Sequence, residues 1–287
     1  MSTARLRLDP LAEGLTPIVG REQETNLLFE RWHRVNESMG QIVLLVGDAG
    51  VGKSRLVTVL EEHVAKNPQA WLTPCQCSAY YQNSALYPLI DMLEKVVLKF
   101  EQDNDPAKKL MRLEGFFAQY GFPLSEVIPV FCGLLSVPLS KKYTPTALVP
   151  ERQKKLIFDT LLGVLREIAR RQPLLLVMED LQWADPTTLE FLRLLADQLA
   201  ESRIFALFTY RTNFNPSLHP RTYITNLMLD RLTRKKSIDM IQYISGGKDL
   251  PAELIEQILT KTDGVPLFVE ELTKMVLESG LDRKSVV

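Results

Sequence analysis

The sequence predicts an α/β protein in which helices cover both faces of a five-stranded parallel sheet, followed by a small all-helical C-terminal part. Two observations predict this architecture. Short apolar runs alternate with segments of helical periodicity over residues 24–229, and after Thr233 only helical periodicity remains. Strands that alternate with helices favour a parallel sheet with both faces covered.

The predicted strands are short apolar runs, and the predicted helices are longer segments with apolar residues at helical spacing. The strands cover residues 42–46, 71–78, 174–178, 204–210 and 223–229. The helices cover 24–39, a segment after Ser54, 86–100, 151–171 and 186–200, and then 235–244, 251–262 and 267–278. Because residues 101–150 combine a helical patch with scattered prolines, we expect a helical insertion with loops at about 100–150.

The composition excludes several classes of protein. A net charge of −1 over 287 residues gives no basic footprint, so DNA binding is not expected of this segment. No apolar run approaches the roughly 20 residues that cross a bilayer, and the N-terminus lacks the apolar centre of a signal peptide. Cys75, Cys77 and Cys132 are too few for a disulfide framework, and we expect buried thiols. We predict a cytoplasmic protein with no membrane partner.

A phosphate-binding motif lies between the first strand and the helix that follows it. Gly47, Gly52, Lys53 and Ser54 match G-x-x-x-x-G-K-[ST] at every fixed position. We expect Gly47, Gly50 and Gly52 to adopt backbone dihedrals closed to other residues. The loop N–H groups and the positive helix end would then converge on phosphates, with Lys53 at the β- and γ-phosphates and the Ser54 hydroxyl on Mg²⁺. Four further residues complete the predicted binding loop: Asp48, Ala49, Val51 and Arg55.

Two carboxylates follow the third strand, and an arginine follows the fourth. Glu179 and Asp180 would lie beside the phosphate loop, because ligands bind at the carboxyl ends of parallel strands. We expect Glu179 to act on the Mg²⁺ shell and Asp180 to polarise the attacking water, although the two roles could be exchanged. Arg211 could sense the γ-phosphate, or it could be a surface arginine.

Five motifs in this order resemble the signal-transduction ATPases with numerous domains (STAND), a branch of the AAA+ type P-loop NTPases. They are Ile18-Val-Gly-Arg-Glu22, Gly47-Asp-Ala-Gly-Val-Gly-Lys-Ser-Arg55, the segment from Leu176 to Asp185, Thr209-Tyr-Arg211, and Gly264-Val-Pro-Leu-Phe-Val-Glu-Glu-Leu272. The sequence is most similar to the predicted-ATPase modules of bacterial multidomain regulators. The resemblance covers about residues 16–280.

The resemblance implies further roles. Val19, Gly20 and Arg21 would lie over the adenine and ribose, and Pro266 of the lid would lie against the base. Arg211 matches the sensor position, and the implied sheet order is 5-1-4-3-2. Many family members have Asp where this chain has Glu179, which implies relaxed Mg²⁺ geometry and slow turnover.

The resemblance also implies a domain organisation. We expect a linker or tail (residues 1–15), a nucleotide-binding domain (16–232), a helical lid (233–280) and a tail at a truncation (281–287). Expected partners are ATP or ADP, Mg²⁺, and linked or associated signalling domains such as a cyclase, a kinase or a helical-repeat sensor. The predicted function is a Mg²⁺-dependent, slow ATPase that acts as a signalling switch.

Three alternatives remain open at this stage. The first is a nucleotide-stabilised interaction module with negligible hydrolysis. The second is a DNA-associated AAA+ loader, against which the near-neutral charge counts. The third is a small-molecule kinase, for which the chain offers no recognisable acceptor site.

Overall fold

The computed structural model describes residues 18–100, 105–145, 147–248 and 250–279. The predicted linker at residues 1–15 and the predicted tail at 281–287 lie outside these ranges. In the described part of the chain, no helix is long and apolar enough to cross a membrane.

A five-stranded parallel sheet forms the centre of the molecule. Its order is β2-β3-β4-β1-β5, which is the predicted 5-1-4-3-2 counted from the opposite edge. The fold class and the strand order are therefore confirmed. The strands are β1 (Gln41–Val46), β2 (Trp71–Gln76), β3 (Leu174–Glu179), β4 (Ile204–Tyr210) and β5 (Ile224–Met228).

Burial explains why the three central strands are continuous apolar runs. Every residue of β1, β3 and β4 is buried, because helices cover both sheet faces there. The edge strands are more polar and partly exposed. Pro74 lies in the edge strand β2, where a missing N–H donor is tolerated.

Helices on the two faces of the sheet enclose two separate hydrophobic clusters. The helices of this region are α1 (Glu22–Asn36), α2 (Lys53–Ala65), α3 (Tyr87–Met92), α4 (Pro106–Gln119), α5 (Leu124–Leu134), α6 (Pro150–Arg171) and α7 (Pro186–Asp197). Asp185 caps α7, as its carboxylate Oδ1 accepts the Thr188 N–H at 2.9 Å. These elements follow the predicted ones within a few residues, apart from α3 and the insertion.

The insertion is more regular than predicted. The prolines at 123 and 129 led us to expect loops, but Pro123 precedes α5 and Pro129 lies inside it. Ile128 and Phe131 of α5 are completely buried, so tertiary packing offsets the hydrogen bond that Pro129 removes. The helix predicted over 86–100 was too long: α3 gives way to a π-helical turn at Leu93–Val97.

Three C-terminal helices form the segment that was predicted to be a lid and that we call the lid. They are α8 (Arg234–Ile244), α9 (Ala252–Thr262) and α10 (Pro266–Glu278). Their buried side chains, together with Leu232 and Leu250, form a small hydrophobic cluster that includes Ile241, Ile258 and Val269. Val19 also packs against this cluster, which is separate from the two clusters of the sheet.

Candidate functional site

The loop between β1 and α2 has the shape that its glycines permit. Gly50 has φ +79° and Gly52 has φ +99°, in the left-handed region that favours glycine. Gly47 has no positive φ, so our dihedral argument was wrong there. Space explains Gly47 instead, because a Cβ would lie 2.8 Å from Val51 Cγ2.

The Lys53 ammonium lies inside this loop. It donates to the Gly47 carbonyl at 2.6 Å and to the Asp48 carbonyl at 2.8 Å, and the residue is 9% exposed. Burial lowers the pKa of Lys53, while neighbouring carboxylates oppose that effect. The charged groups that act on its pKa are, in decreasing order, Asp180, Arg211, Asp48 and Glu179. The predicted catalytic groups Glu179, Asp180 and Arg211 therefore all act electrostatically on one ammonium.

Asp180 is fixed by its backbone and by both carboxylate oxygens. Its φ of +60° is unusual for a residue other than glycine, and its N–H donates to Thr209 Oγ1 at 3.0 Å. Oδ2 accepts from Gln76 Nε2 and Oδ1 accepts from Gln182 Nε2, each at 2.9 Å. Glu179, the last residue of β3, is buried beside it. The sequence analysis identified none of the three hydrogen-bond partners of Asp180, which are Thr209, Gln76 and Gln182, although Gln182 lies only two residues after Asp180.

Arg211 directly follows β4, and its side chain is exposed. Its guanidinium carbon lies 5.8 Å from the centre of the Trp183 ring. Its backbone N–H donates to Gln182 Oε1 at 3.3 Å.

Arg21 makes protein contacts on all sides. Its guanidinium donates to the Val51 carbonyl at 3.2 Å, to the Asp230 carbonyl, and to Glu24 at 3.0 Å. The side chain, which is 7% exposed, thus joins α1, the phosphate loop and the segment after β5. Gly20 precedes it with φ +72°, and a Cβ there would lie 2.9 Å from the Lys236 stem.

The lid contacts the phosphate loop directly. Pro266 begins α10, and the Leu267 N–H donates to the Gly50 carbonyl at 3.2 Å. Gly264 turns the chain into α10 with φ +71°, and its carbonyl accepts the Leu232 N–H at 2.7 Å. A Cβ at Gly264 would lie 2.4 Å from the Leu232 carbonyl oxygen, which explains the glycine.

These elements enclose a cavity of about 420 Å³. The predicted site residues that line this cavity are Val19, Arg21, Ala49, Gly50, Val51, Gly52, Lys53, Ser54, Arg55, Asp180, Arg211 and Pro266. Four other predicted site residues lie outside its lining: Gly20, Gly47, Asp48 and Glu179. Sequence reasoning missed several residues of the cavity wall: Ile18, Leu232, Met240, Leu267 and Glu270. Of the missed residues, Ile18, Leu267 and Glu270 lie within the sequence motifs of the predicted family, which was the available signal.

The cysteines are unrelated to this cavity. None of the three forms a disulfide, and all three are buried. Burial, followed by the charges of Asp185 and Asp180, raises the pKa of Cys77 to about 12. The described residues contain no group of three or more His, Cys, Asp and Glu side chains that could hold a metal ion.

The phosphate loop on a 5-1-4-3-2 parallel sheet, with an acidic strand end and a helical lid, defines an AAA+ type P-loop ATPase module. The match to a family model supports this class. Residues 17–207, more than half of the chain, match the AAA ATPase domain family, and the chain belongs to that family.

The individual proteins that resemble this chain share little sequence identity with it. An uncharacterised protein of Rhizobium meliloti (strain 1021), R02095, is 26% identical over 266 residues, which are 92% of this chain and 25% of that protein. This chain thus spans about a quarter of the length of its curated relative.

Among solved structures, Drosophila ORC bound to DNA has a TM-score of 0.54 at 13% identity, covering 98% of this chain and 62% of that chain. A STAND protein with a tetratricopeptide repeat sensor from Pyrococcus horikoshii has a TM-score of 0.45 at 13% identity, covering 89% of this chain and 29% of that one. The likeness to ORC supports the fold.

Proposed function

We propose that the chain binds ATP and ADP with Mg²⁺ and hydrolyses ATP slowly, as the nucleotide-controlled switch of a larger regulator of the STAND branch. The main support is the shared cavity. The phosphate loop, Asp180 directly after β3, Arg211 and the start of α10 all line one space of about 420 Å³. That volume is typical of small-molecule sites. A nucleotide bound there would contact the sheet and the lid together.

The residues fit the chemistry of a nucleotide. Backbone N–H groups of the loop and the N-terminus of α2 favour phosphate, because their dipoles point positive charge at it. The cavity lining also includes the apolar residues Val19, Leu232, Met240 and Pro266, which could contact a purine base. Arg21 lines the cavity, but its guanidinium is engaged by protein carbonyls, so we assign it to shaping the base and ribose region.

The hydrolytic roles follow from the positions of the charged groups. Ser54 and Glu179 offer the hard oxygen ligands that Mg²⁺ prefers, and the ion would neutralise phosphate charge. Lys53 would exchange its two carbonyl acceptors for β- and γ-phosphate oxygens. Asp180 would orient and polarise the attacking water, and Arg211 would contact the γ-phosphate.

We propose that the switch is the lid. Residues 16–232 would form the nucleotide-binding domain and 233–280 the lid. The separate hydrophobic cluster of the three C-terminal helices supports this division, and Leu232 and Val19 join that cluster from the other side of the boundary. ADP would hold the lid closed, and exchange for ATP would open it. A ligand shifts such an equilibrium only if its contacts differ between the two states. The turn at Gly264 and the Leu267–Gly50 hydrogen bond provide contacts that can differ.

The proposed partners are signalling domains, linked or associated, such as a cyclase, a kinase or a helical-repeat sensor. The longer Rhizobium meliloti relative supports this part of the proposal, because this chain matches only 25% of it. DNA binding is not proposed, since a net charge of −1 supplies no electrostatic attraction to phosphate backbones.

Turnover of ATP with Mg²⁺ by the purified chain tests the function, with bound nucleotide identified after denaturing extraction. Lys53→Ala should lower turnover at least about a hundredfold, because it removes a preorganised cation from the transferred phosphate. Lys108→Ala, an exposed lysine on α4, is the matched control and should match the wild type. Asp180→Asn then tests the assigned base.

Two other outcomes are informative. Co-purified ADP without turnover would favour the nucleotide-stabilised interaction module. Absence of both nucleotide binding and turnover would overturn the proposal.

A further inference from the structure

A three-residue 3-10 turn, Leu181–Trp183, connects β3 to α7 and lies between two groups of the proposed site. Its middle residue, Gln182, uses both ends of its amide. Nε2 donates to Asp180 Oδ1 at 2.9 Å, and Oε1 accepts the Arg211 N–H at 3.3 Å. An amide has donors at one end and an acceptor at the other, so these two partners fix its orientation.

The direction of the Asp180 carboxylate depends on such side-chain donors. The backbone of Asp180 is fixed by its left-handed φ and by the hydrogen bond to Thr209. Its two oxygens are then held by Gln76 on one side and Gln182 on the other. Each donor holds one oxygen of Asp180, and hydrogen bonds to a carboxylate are stronger than neutral ones. Loss of either donor would therefore remove a strong restraint on rotation of the carboxylate.

The same turn also holds Arg211. Trp183 follows Gln182, and its ring lies 5.8 Å from the Arg211 guanidinium. One turn therefore contacts the backbone of Arg211 through an amide and its side chain through an aromatic ring.

We infer that Gln182 is a positioning residue that couples the direction of the Asp180 carboxylate to the position of Arg211 at the end of β4. A displacement of Arg211 would move the Gln182 acceptor and, with it, the donor that orients Asp180. This inference rests on the proposed ATPase function.

Two variants of Gln182 separate its contacts. Gln182→Glu keeps an acceptor for the Arg211 N–H but loses the donor to Asp180. Gln182→Met has similar length and loses both. Gln198→Met is the control, because Gln198 is an exposed glutamine at the end of α7 whose Oε1 accepts only a surface hydrogen bond from Arg166.

Two measurements apply to these variants of the full chain. The first is ATP turnover, with the affinity for a non-hydrolysable ATP analogue measured by calorimetry. The second is the amide hydrogen exchange of Arg211 in the ligand-free protein, which needs no turnover.

We expect kcat to fall about tenfold in both Gln182 variants. In Gln182→Met the affinity for the analogue should stay within about twofold, because a misplaced base slows chemistry and not binding. Gln182→Glu adds a negative charge beside Asp180, so its affinity is not used as a criterion. In an Asp180→Asn background, either variant should cause no further loss, since the effect passes through Asp180. The Arg211 amide should exchange faster in Gln182→Met than in the wild type, because the acceptor is lost. In Gln182→Glu, which keeps an acceptor, its exchange rate should equal that of the wild type.

Three results would overturn the inference. The first is a wild-type kcat in Gln182→Met. The second is a loss of kcat in the Gln182 variants that is equally large in the wild-type and the Asp180→Asn backgrounds. The third is unchanged hydrogen exchange of the Arg211 amide in Gln182→Met. If the wild type shows no turnover, the hydrolytic function fails, and the exchange of Arg211 alone then decides whether Gln182 holds it.

Discussion

The sheet and the lid are stabilised in different ways. Every residue of β3 and β4 is buried, and the sheet helices enclose two hydrophobic clusters. The lid has one small cluster around Ile241. Its contacts with the sheet side include a backbone hydrogen bond from Leu267 to Gly50 and an exposed ion pair between Lys236 and Glu22.

This difference indicates which wall of the cavity can move. Exposed ion pairs contribute roughly 0–1 kcal/mol, whereas large buried side chains contribute several times more. Regions with few buried apolar contacts open locally at a lower free energy than the core. We therefore expect the lid to separate from the phosphate loop long before the sheet unfolds.

The largest expected effect comes from Phe208→Ala in β4. Phe208 is fully buried, so the variant should lower the free energy of unfolding of the sheet by about 3–5 kcal/mol through lost burial and a cavity. Its matched variant is Ile241→Ala, also fully buried but in the lid. Urea unfolding together with amide hydrogen exchange measures both.

The comparison predicts different patterns for the two variants. Phe208→Ala should speed exchange across all five strands, and Ile241→Ala should speed exchange in α8, α9 and α10 only. Equal loss of protection in the strands of both variants would mean that sheet and lid unfold as one unit.

The sequence predicted the centre of the sheet well because β1, β3 and β4 are fully buried. A strand with both faces covered must be apolar throughout, so residues 174–178 and 204–210 were recognisable without periodicity. The insertion was harder, because proline normally ends a helix and the packing of Ile128 and Phe131 that compensates for Pro129 is a tertiary effect.

The candidate site also has a part that was predictable from the sequence and a part that was not. The phosphate loop was predictable because its glycines and Lys53 serve local geometry at fixed spacing. The hydrogen bonds of Asp180 were not, since Gln76 and Thr209 come from strands that are distant in sequence. Its left-handed φ likewise has no sequence signature, because the residue is not glycine.

A smaller effect is expected from alanine at two glycines of the phosphate loop. Gly50 and Gly52 both have positive φ, so each alanine variant should cost about 1–2 kcal/mol in stability. A Cβ at Gly52 meets nothing within 4 Å, whereas one at Gly50 lies 3.0 Å from Val265 and 3.2 Å from Leu267. Gly50→Ala should therefore also loosen the lid.

Amide exchange of Leu267 in the ligand-free protein measures that loosening. It should be faster in Gly50→Ala and unchanged in Gly52→Ala. The same rate in both variants would show that the Leu267–Gly50 hydrogen bond does not hold the lid in solution.

The smallest expected effect concerns the ion pair between α8 of the lid and α1. Lys236 Nζ lies 3.3 Å from Glu22 Oε1, and both side chains are partly exposed. A double-mutant cycle of Lys236→Ala and Glu22→Gln should give a coupling free energy below about 1 kcal/mol. Lys235→Ala, the exposed neighbour, is the control and should show no coupling.

Acid should abolish this coupling. The backbone N–H of Glu22 itself, followed by Lys236, lowers the pKa of Glu22 from its ordinary value of 4.5. A carboxyl group with a lowered pKa in the folded state stabilises the fold above its ordinary pKa, and that contribution is lost as the pH falls through the folded value. The difference in thermal stability between wild type and Lys236→Ala should therefore be present at pH 7 and shrink below about pH 4.5.

The stem of Lys236 also packs against Gly20. A difference that persists to pH 3 would mean that this packing, and not the charge, joins the lid to α1.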